Sequence, residues 1–101
     1  FQKEEKRAVS SWWLTCVLIK DKSLVPALMA VLKKNGIPSR RIFMPLVAHP
    51  PYKDTCKGKY ENALFVYEHG ICLPGSTLNT AEDIKYICKI IKKELLIHGK
   101  N

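Results

Sequence analysis

Two adjacent arginines, Arg40 and Arg41, have the side chains best suited to binding an anionic substrate. A guanidinium can hold a phosphate or a carboxylate through two parallel hydrogen bonds. The pair stands at the end of a predicted strand, directly before a proline-rich loop. Neighbouring side chains on a strand point to opposite faces, so at most one of the two can face a pocket. We expect Arg40 to be that residue; the alternative for either arginine is an exposed charge at a sheet edge.

The proline-rich loop, residues 45–60, contains two further candidates, His49 and Tyr52. Its prolines exclude a regular strand, and a loop of this length without secondary structure of its own is often functional. His49 is the histidine best placed for a site, because the other two fall at a predicted helix end and in the C-terminal tail. Tyr52 follows two prolines and either packs on a sugar or base or fills a gap between the loop and the core. For His49 the alternative is an exposed loop residue.

No complete catalytic site is visible in the sequence. The four cysteines form no C-x-x-C pair and no cluster with histidine at zinc-binding spacing. Three of them sit in apolar patterns, where cysteine behaves as a small hydrophobic residue. There is no G-x-S-x-G serine, no glycine-rich phosphate loop and no lysine in an apolar pattern suited to Schiff-base chemistry. Reduced cysteines are the simplest interpretation, and they indicate a cytoplasmic protein.

The chain carries a net charge of +8 over 101 residues, which points to an anionic partner. Nucleic acid, anionic lipid and a phosphorylated small molecule each fit, and so does an acidic remainder of a longer protein. With 47% apolar and 26% charged residues, the composition is that of one folded domain. No apolar run approaches the ~20 residues of a membrane span, so we expect no membrane partner.

Hydrophobic periodicity and turn residues predict three strands and three helices. Pro38 places the second strand at a sheet edge or at a strand start, and Thr80 and Asp83 have the spacing of a capping box. The Trp12-Trp13 pair is expected in the core. The order of elements predicts an α+β fold, a small antiparallel or mixed sheet with helices on one face. The strands are expected at residues 12–19, 37–43 and 71–74, and the helices at 23–34, at 61–69 and from Thr80 to a stop at Gly99.

The ends of the chain differ in composition from its middle. Residues 1–10 are polar and charged, and the sequence starts without methionine. We expect them to be an exposed lead-in from a domain upstream, with residues 11–97 as the folded domain and residues 98–101 as a tail. The chain is therefore interpreted as a domain excised from a longer protein.

Five short motifs occur in a recognisable order between residues 36 and 84. They cover nearly the whole predicted domain together with the apolar strand that opens it. Their arrangement resembles the C-terminal segment of the DegT-like aminotransferases, pyridoxal phosphate (PLP)-dependent enzymes that act on nucleotide sugars. The motifs are Gly36-Ile37-Pro38-Ser39-Arg40, Pro45-Leu46, Pro50-Pro51-Tyr52-Lys53, Gly70-Ile71-Cys72-Leu73-Pro74 and Leu78-Asn79-Thr80-Ala81-Glu82-Asp83-Ile84.

The resemblance implies the small C-terminal domain of a fold-type I PLP aminotransferase. In that family a large domain carries the Schiff-base lysine and most PLP contacts, and the small domain closes over the substrate. The enzymes transfer an amino group, usually from glutamate, to a keto group of a nucleotide-linked sugar, and they work as homodimers. The resemblance therefore implies three partners: the nucleotide-sugar substrate, glutamate and a large N-terminal domain. It also implies that the chain alone has no transaminase activity.

The resemblance also assigns substrate-binding residues but no catalytic residue and no metal ligand. Arg40 matches the family's arginine, and residues 45–52, with His49 and Tyr52, match its substrate-side loop. The family often has histidine two residues after the first proline of that loop, where this chain has Val47. His49 is offset from that position by two residues and need not replace the family's histidine, so the sugar and the role of His49 are left open.

The composition also fits a function of a different class. The net charge of +8 also suits a small basic nucleic-acid-binding or interaction module. The lysines are scattered over several predicted helix faces, and no known binding motif is present, which weighs against nucleic acid as a partner.

Overall fold

A three-stranded antiparallel sheet is the centre of the fold in the computed structural model, which describes residues 3–98. Its strands are β1 (Thr15–Leu18), β2 (Arg40–Arg41) and β3 (Gly70–Leu73). They are arranged in the order β1-β3-β2. The last strand in the chain is thus the central one, and it pairs antiparallel with each of the others.

Four helices complete the architecture: α1 (Leu24–Lys34), α2 (Pro50–Lys53), α3 (Glu61–His69) and α4 (Ala81–His98). The predicted α+β fold is confirmed, and of the two predicted sheet types the antiparallel one is present. The segment predicted to be a loop contains α2 and a 3-10 turn. The ends of the predicted lead-in and tail, residues 1–2 and 99–101, lie outside the described residues, as does the predicted helix stop at Gly99. Within residues 3–98, no helix has both the length and the apolar character needed to cross a bilayer.

Helices α1 and α4 pack against one face of the sheet and bury the core there. Ile71 of β3 and three residues of α1, Val25, Leu28 and Leu32, are fully buried. The three α1 residues lie three and four residues apart, so they form one apolar stripe. Side chains of α4 complete the layer as partly buried neighbours: Ile87, Ile90, Ile91 and Leu95.

The opposite face of the sheet carries a row of three side chains, one from each strand. Cys72 of β3 lies directly opposite Cys16 of β1 and, on its other side, opposite Arg40 of β2. Paired residues of antiparallel strands project to the same side, so the three share one surface. Leu18, two residues after Cys16, belongs to that surface too and is half exposed. We call this surface, formed by Cys16, Leu18, Arg40 and Cys72, the Arg40 face.

Helix α1 ends at a glycine in the left-handed conformation. Gly36 has φ of 71°. Its N–H donates to the Lys33 carbonyl at 3.1 Å, and the N–H of Ile37 donates to the Leu32 carbonyl at 2.9 Å. This pair of bonds is the Schellman pattern, which satisfies carbonyls at the helix end. The turn directs the chain toward β2.

Helix α4 begins with the predicted capping box. The backbone N–H of Asp83 donates to the Thr80 hydroxyl at 3.1 Å, and the backbone N–H of Thr80 donates to the Asp83 carboxylate at 2.8 Å. The Thr80 hydroxyl donates to the same carboxylate. These hydrogen bonds, first the backbone one and then the side-chain one, hold the pKa of Asp83 below its ordinary value.

Two predictions about strand segments are wrong. The second strand spans Arg40–Arg41 only, because Pro38 has no N–H to donate to a ladder and its partner β3 is only four residues long. The tryptophans are not in the core: Trp12 is 52% and Trp13 71% exposed. Trp12 has a positive φ of 51°, which breaks the alternation of side chains before β1 begins.

Candidate functional site

Arg40 lies on the edge strand β2 and presents an exposed guanidinium on the Arg40 face. Within residues 3–98 this guanidinium has no hydrogen bond and no ion pair. Burial and the contact with Cys16 raise the pKa of the neighbouring Cys72 thiol, and the charge of Arg40 acts in the opposite direction. An arginine in this setting retains its full hydrogen-bonding capacity for a ligand.

Arg41 points to the other side of β2 and is engaged within the protein. Its Nη2 donates to the Tyr67 carbonyl at 2.7 Å and to the Glu68 carbonyl at 3.3 Å, both in the last turn of α3. The guanidinium also lies 5.1 Å from the centre of the Tyr67 ring, within cation–π distance. Arg41 therefore stabilises the C-terminal end of α3, and the two adjacent arginines have different environments, as strand alternation predicts.

His49 and Tyr52 lie in one tight backbone turn. His49 connects the 3-10 turn (Leu46–Ala48) to α2. Its carbonyl accepts hydrogen bonds from the N–H groups of Tyr52 at 3.0 Å and Lys53 at 3.1 Å. The His49 side chain is partly buried and the Tyr52 side chain is half exposed.

The structure brings together some of the predicted site residues and not others. His49 and Tyr52 are joined by the backbone bond of their shared turn. Among the described residues, no hydrogen bond or ring contact joins Arg40 to either of them. The shared turn therefore fixes His49 relative to Tyr52, and no contact of this kind fixes Arg40 relative to either of them.

A pair of thiols was missed by the sequence analysis. Cys16 and Cys72 lie opposite each other on β1 and β3, and their Sγ atoms are 3.5 Å apart. Burial, together with the hydrogen bond to Cys16, raises the pKa of the Cys72 thiol to about 11. The two residues are 56 positions apart in the sequence, so no local pattern could reveal them; only the strand register brings them together.

Exposed aromatic side chains were missed as well. The rings of Trp13, just before β1, and Phe43, just after β2, lie 6.4 Å apart. Both are more than half exposed, and Met44 and Leu46 are exposed beside them in sequence. Clustered exposed apolar groups mark surfaces that contact another molecule or domain.

An open groove of about 670 Å³ lies at the end of β1, and none of the predicted site residues lines it. One of its two histidines, His69, has structural partners: Nδ1 is 2.8 Å from the Ile19 carbonyl, and the ring stacks on Phe65 at 4.1 Å. His69 thus ties the end of α3 to the end of β1. The groove is lined by Leu18, Ile19, Lys20, Asp21, Lys22, Leu24, His69, Leu95 and His98.

The described residues do not by themselves fit a PLP site or a metal site. Every lysine between residues 3 and 98 is exposed, whereas a Schiff-base lysine lies in a pocket that shields it from water. The same part of the chain contains no group of three histidine, cysteine or acidic side chains that could hold a metal ion. The chemistry that these residues can supply is anion binding by Arg40 and contact through exposed rings.

Comparison with known proteins identifies the family. No curated protein matches the chain. The model of the DegT/DnrJ/EryC1/StrS aminotransferase family matches residues 1–92, which include the sheet, helices α1–α3 and most of α4. The chain therefore belongs to the DegT/DnrJ/EryC1/StrS aminotransferase family.

Proposed function

We propose that this chain is the substrate-covering C-terminal part of a PLP-dependent enzyme that transfers an amino group from glutamate to a keto nucleotide-sugar. Family membership supports aminotransferase chemistry. The observation that carries the finer assignment is the exposed Arg40 guanidinium, which has no partner within residues 3–98 and stands where the family's motif has its arginine.

The charge of the chain suits such a substrate. A nucleotide sugar carries a diphosphate, and a guanidinium can bind a phosphate group through two parallel hydrogen bonds. Arg40 would hold the substrate in this way, while the net charge of +8 draws the anion toward the domain. Tyr52, half exposed, would pack on the sugar or the base, and His49 would line the same loop.

The remaining parts of the active site would come from outside these residues. We propose that a large domain precedes residues 11–97, with residues 1–10 as the connection, and that it binds PLP and carries the Schiff-base lysine. The exposed rings of Trp13 and Phe43 support a contact surface for such a domain. The complete enzyme would be a cytoplasmic homodimer, and the isolated chain would have no transaminase activity.

The first test compares two variants of the complete polypeptide that carries this domain. Replacing Arg40 with glutamine removes the guanidinium from an exposed position without disturbing the core. We expect the KM for the keto nucleotide-sugar to rise at least about tenfold, equivalent to ~1.4 kcal/mol, while the half-reaction with glutamate is unchanged.

Lys33→Gln is the matched control, since it removes an exposed cation at the C-terminal end of α1. It should leave both half-reactions unchanged. If Arg40→Gln also leaves the KM for the sugar unchanged, Arg40 does not bind the substrate. Turnover by the isolated chain with glutamate and a 4-keto nucleotide sugar would contradict the assignment of PLP to another domain.

One observation favours the second candidate, a basic nucleic-acid-binding module. The exposed side of α4 forms a groove with four lysines, Lys85, Lys89, Lys92 and Lys93. Binding to duplex or single-stranded nucleic acid that falls steeply with salt, and that is abolished when Lys89 and Lys93 are replaced by glutamate, would support this alternative.

A further inference from the structure

The two thiols on the Arg40 face are already in contact in the folded protein. Cys16 and Cys72 are directly opposed in the register of β1 and β3, and their Sγ atoms are 3.5 Å apart. Both side chains project from the same side of the sheet. The backbone of two paired strands, rather than a flexible loop, holds them there.

This arrangement satisfies the backbone requirements of a disulfide. Directly opposed residues of an antiparallel pair have Cα atoms about 4.5–5.5 Å apart, and disulfides span Cα distances of about 4.4–6.8 Å. Closing the sulfur atoms to about 2.05 Å therefore requires side-chain rotation and no movement of one strand along the other.

We propose that Cys16 and Cys72 form a redox-active dithiol that closes reversibly to a cross-strand disulfide by exchange with a small-molecule disulfide such as oxidised glutathione. Two S–H bonds of the protein and the S–S bond of the reagent are broken. One protein S–S bond and two small-molecule thiols are formed. The protein is thereby oxidised by two electrons, and the reagent is reduced by the same two.

The two cysteines have different parts in the exchange. Cys16 is partly exposed, whereas Cys72 is only 6% exposed. Cys16 as thiolate attacks the reagent and forms a mixed disulfide, and one small-molecule thiolate leaves. Cys72 then loses its proton and attacks the Cys16 sulfur, which expels the second small-molecule thiolate; both thiolates take up the protons that the cysteines released.

The buried partner controls the rate of the second step. Burial raises the pKa of Cys72, so little of it is thiolate at neutral pH. We therefore expect mixed disulfide on Cys16 to accumulate first and ring closure to accelerate as the pH rises. The disulfide forms beside Arg40 in the same row of the sheet. The inference rests on strand register and sulfur distance alone and does not depend on the proposed transamination.

The test uses the complete polypeptide that carries this sequence, incubated with oxidised glutathione and digested without reduction. Mass spectrometry should find the peptides containing Cys16 and Cys72 joined, and dithiothreitol should release them. In Cys72→Ser, glutathione should remain attached to Cys16. The matched control, Cys56→Ser with Cys88→Ser, should form the Cys16–Cys72 link as the unmodified protein does.

Three results would overturn the proposal. The first is the absence of the link under conditions in which the same polypeptide, unfolded in denaturant, is fully oxidised. The second is linkage only between separate molecules. The third is linkage that appears only together with loss of the far-ultraviolet circular dichroism of the fold, because the dithiol would then not react in the native state.

Discussion

Arg40 and Arg41 show how one residue step changes the role of a side chain. Arg40 is exposed on the Arg40 face, and Arg41 is partly buried against α3. The proposed substrate binding involves Arg40 only. The role of Arg41 is structural and can be tested by measuring the free energy of unfolding.

We expect Arg41→Ala to lower the free energy of unfolding by about 1–3 kcal/mol, because it removes charge-assisted hydrogen bonds to the Tyr67 and Glu68 carbonyls. The loss of the contact between the guanidinium and the Tyr67 ring adds to this destabilisation. Urea unfolding monitored by circular dichroism measures the change. Arg40→Ala is the matched control and should stay within about 0.5 kcal/mol of the unmodified chain; equal losses in both variants would contradict the assignment of Arg41 to α3.

Helix α4 depends on its first turn as well as on its apolar stripe. Thr80 and Asp83 satisfy one another's backbone N–H groups there. Since hydrogen bonds from Thr80 hold the pKa of Asp83 below its ordinary value of 3.8, the folded state favours the ionised carboxylate. The Asp83 carboxylate therefore stabilises the fold when the pH is above its ordinary pKa. This stabilisation is lost as the pH falls through the lower pKa that Asp83 has in the folded state.

Replacing Asp83 with asparagine should therefore make the free energy of unfolding depend less on pH in the acid range. We expect the unmodified chain to be the more stable of the two at neutral pH, and the difference to shrink as the pH falls below about 3.8. Urea unfolding at a series of pH values measures this. Asp54→Asn, an exposed change in the proline-rich loop, is the control. A constant difference between Asp83→Asn and the unmodified chain at all pH values would show that the capping carboxylate does not titrate with folding.

The elements were predictable from sequence to different extents. Local signals located α3 at Glu61–His69, the end of α1 at Lys34 and the capping box of α4, because each depends on residues within one or two turns. The extent of β2 and the exposure of Trp13 depend on the partner strand and on backbone angles that no periodicity records. The contact between Cys16 and Cys72 and the engagement of Arg41 by α3 are set by tertiary register, so the sequence alone could not reveal them.

The whole molecule is dominated by positive charge. The net charge is +8 with neutral histidines, and among residues 3–98 lysine forms an ion pair with a carboxylate at Lys22 and Glu68. Both of these side chains are exposed, so the pair contributes little to stability. The contact of His98 with Glu94 is an ion pair only when His98 is protonated. Repulsion among the unpaired cations therefore opposes folding at low ionic strength.

We expect added sodium chloride to stabilise the chain. Between ~0.01 M and ~0.15 M salt the screening length falls from about 30 Å to about 8 Å, well below the 46 Å length of the molecule. The urea midpoint should rise over this range. A variant that combines Lys89→Glu with Lys93→Glu is the comparison. Each replacement of lysine by glutamate lowers the net charge by two, so this variant has a net charge of +4, and salt should raise its urea midpoint less. An equal response in both proteins would show that the effect of salt is not electrostatic.

The central position of β3 has a consequence for synthesis on the ribosome. β1 and β2 emerge before the strand that pairs with each of them, so no sheet hydrogen bond can form until Gly70–Leu73 has left the exit tunnel. Until then the edges of β1 and β2 are unpaired, and unpaired edges beside exposed apolar side chains promote aggregation. We therefore expect a nascent chain that stalls before residue 70 to aggregate more readily than one in which β3 has emerged.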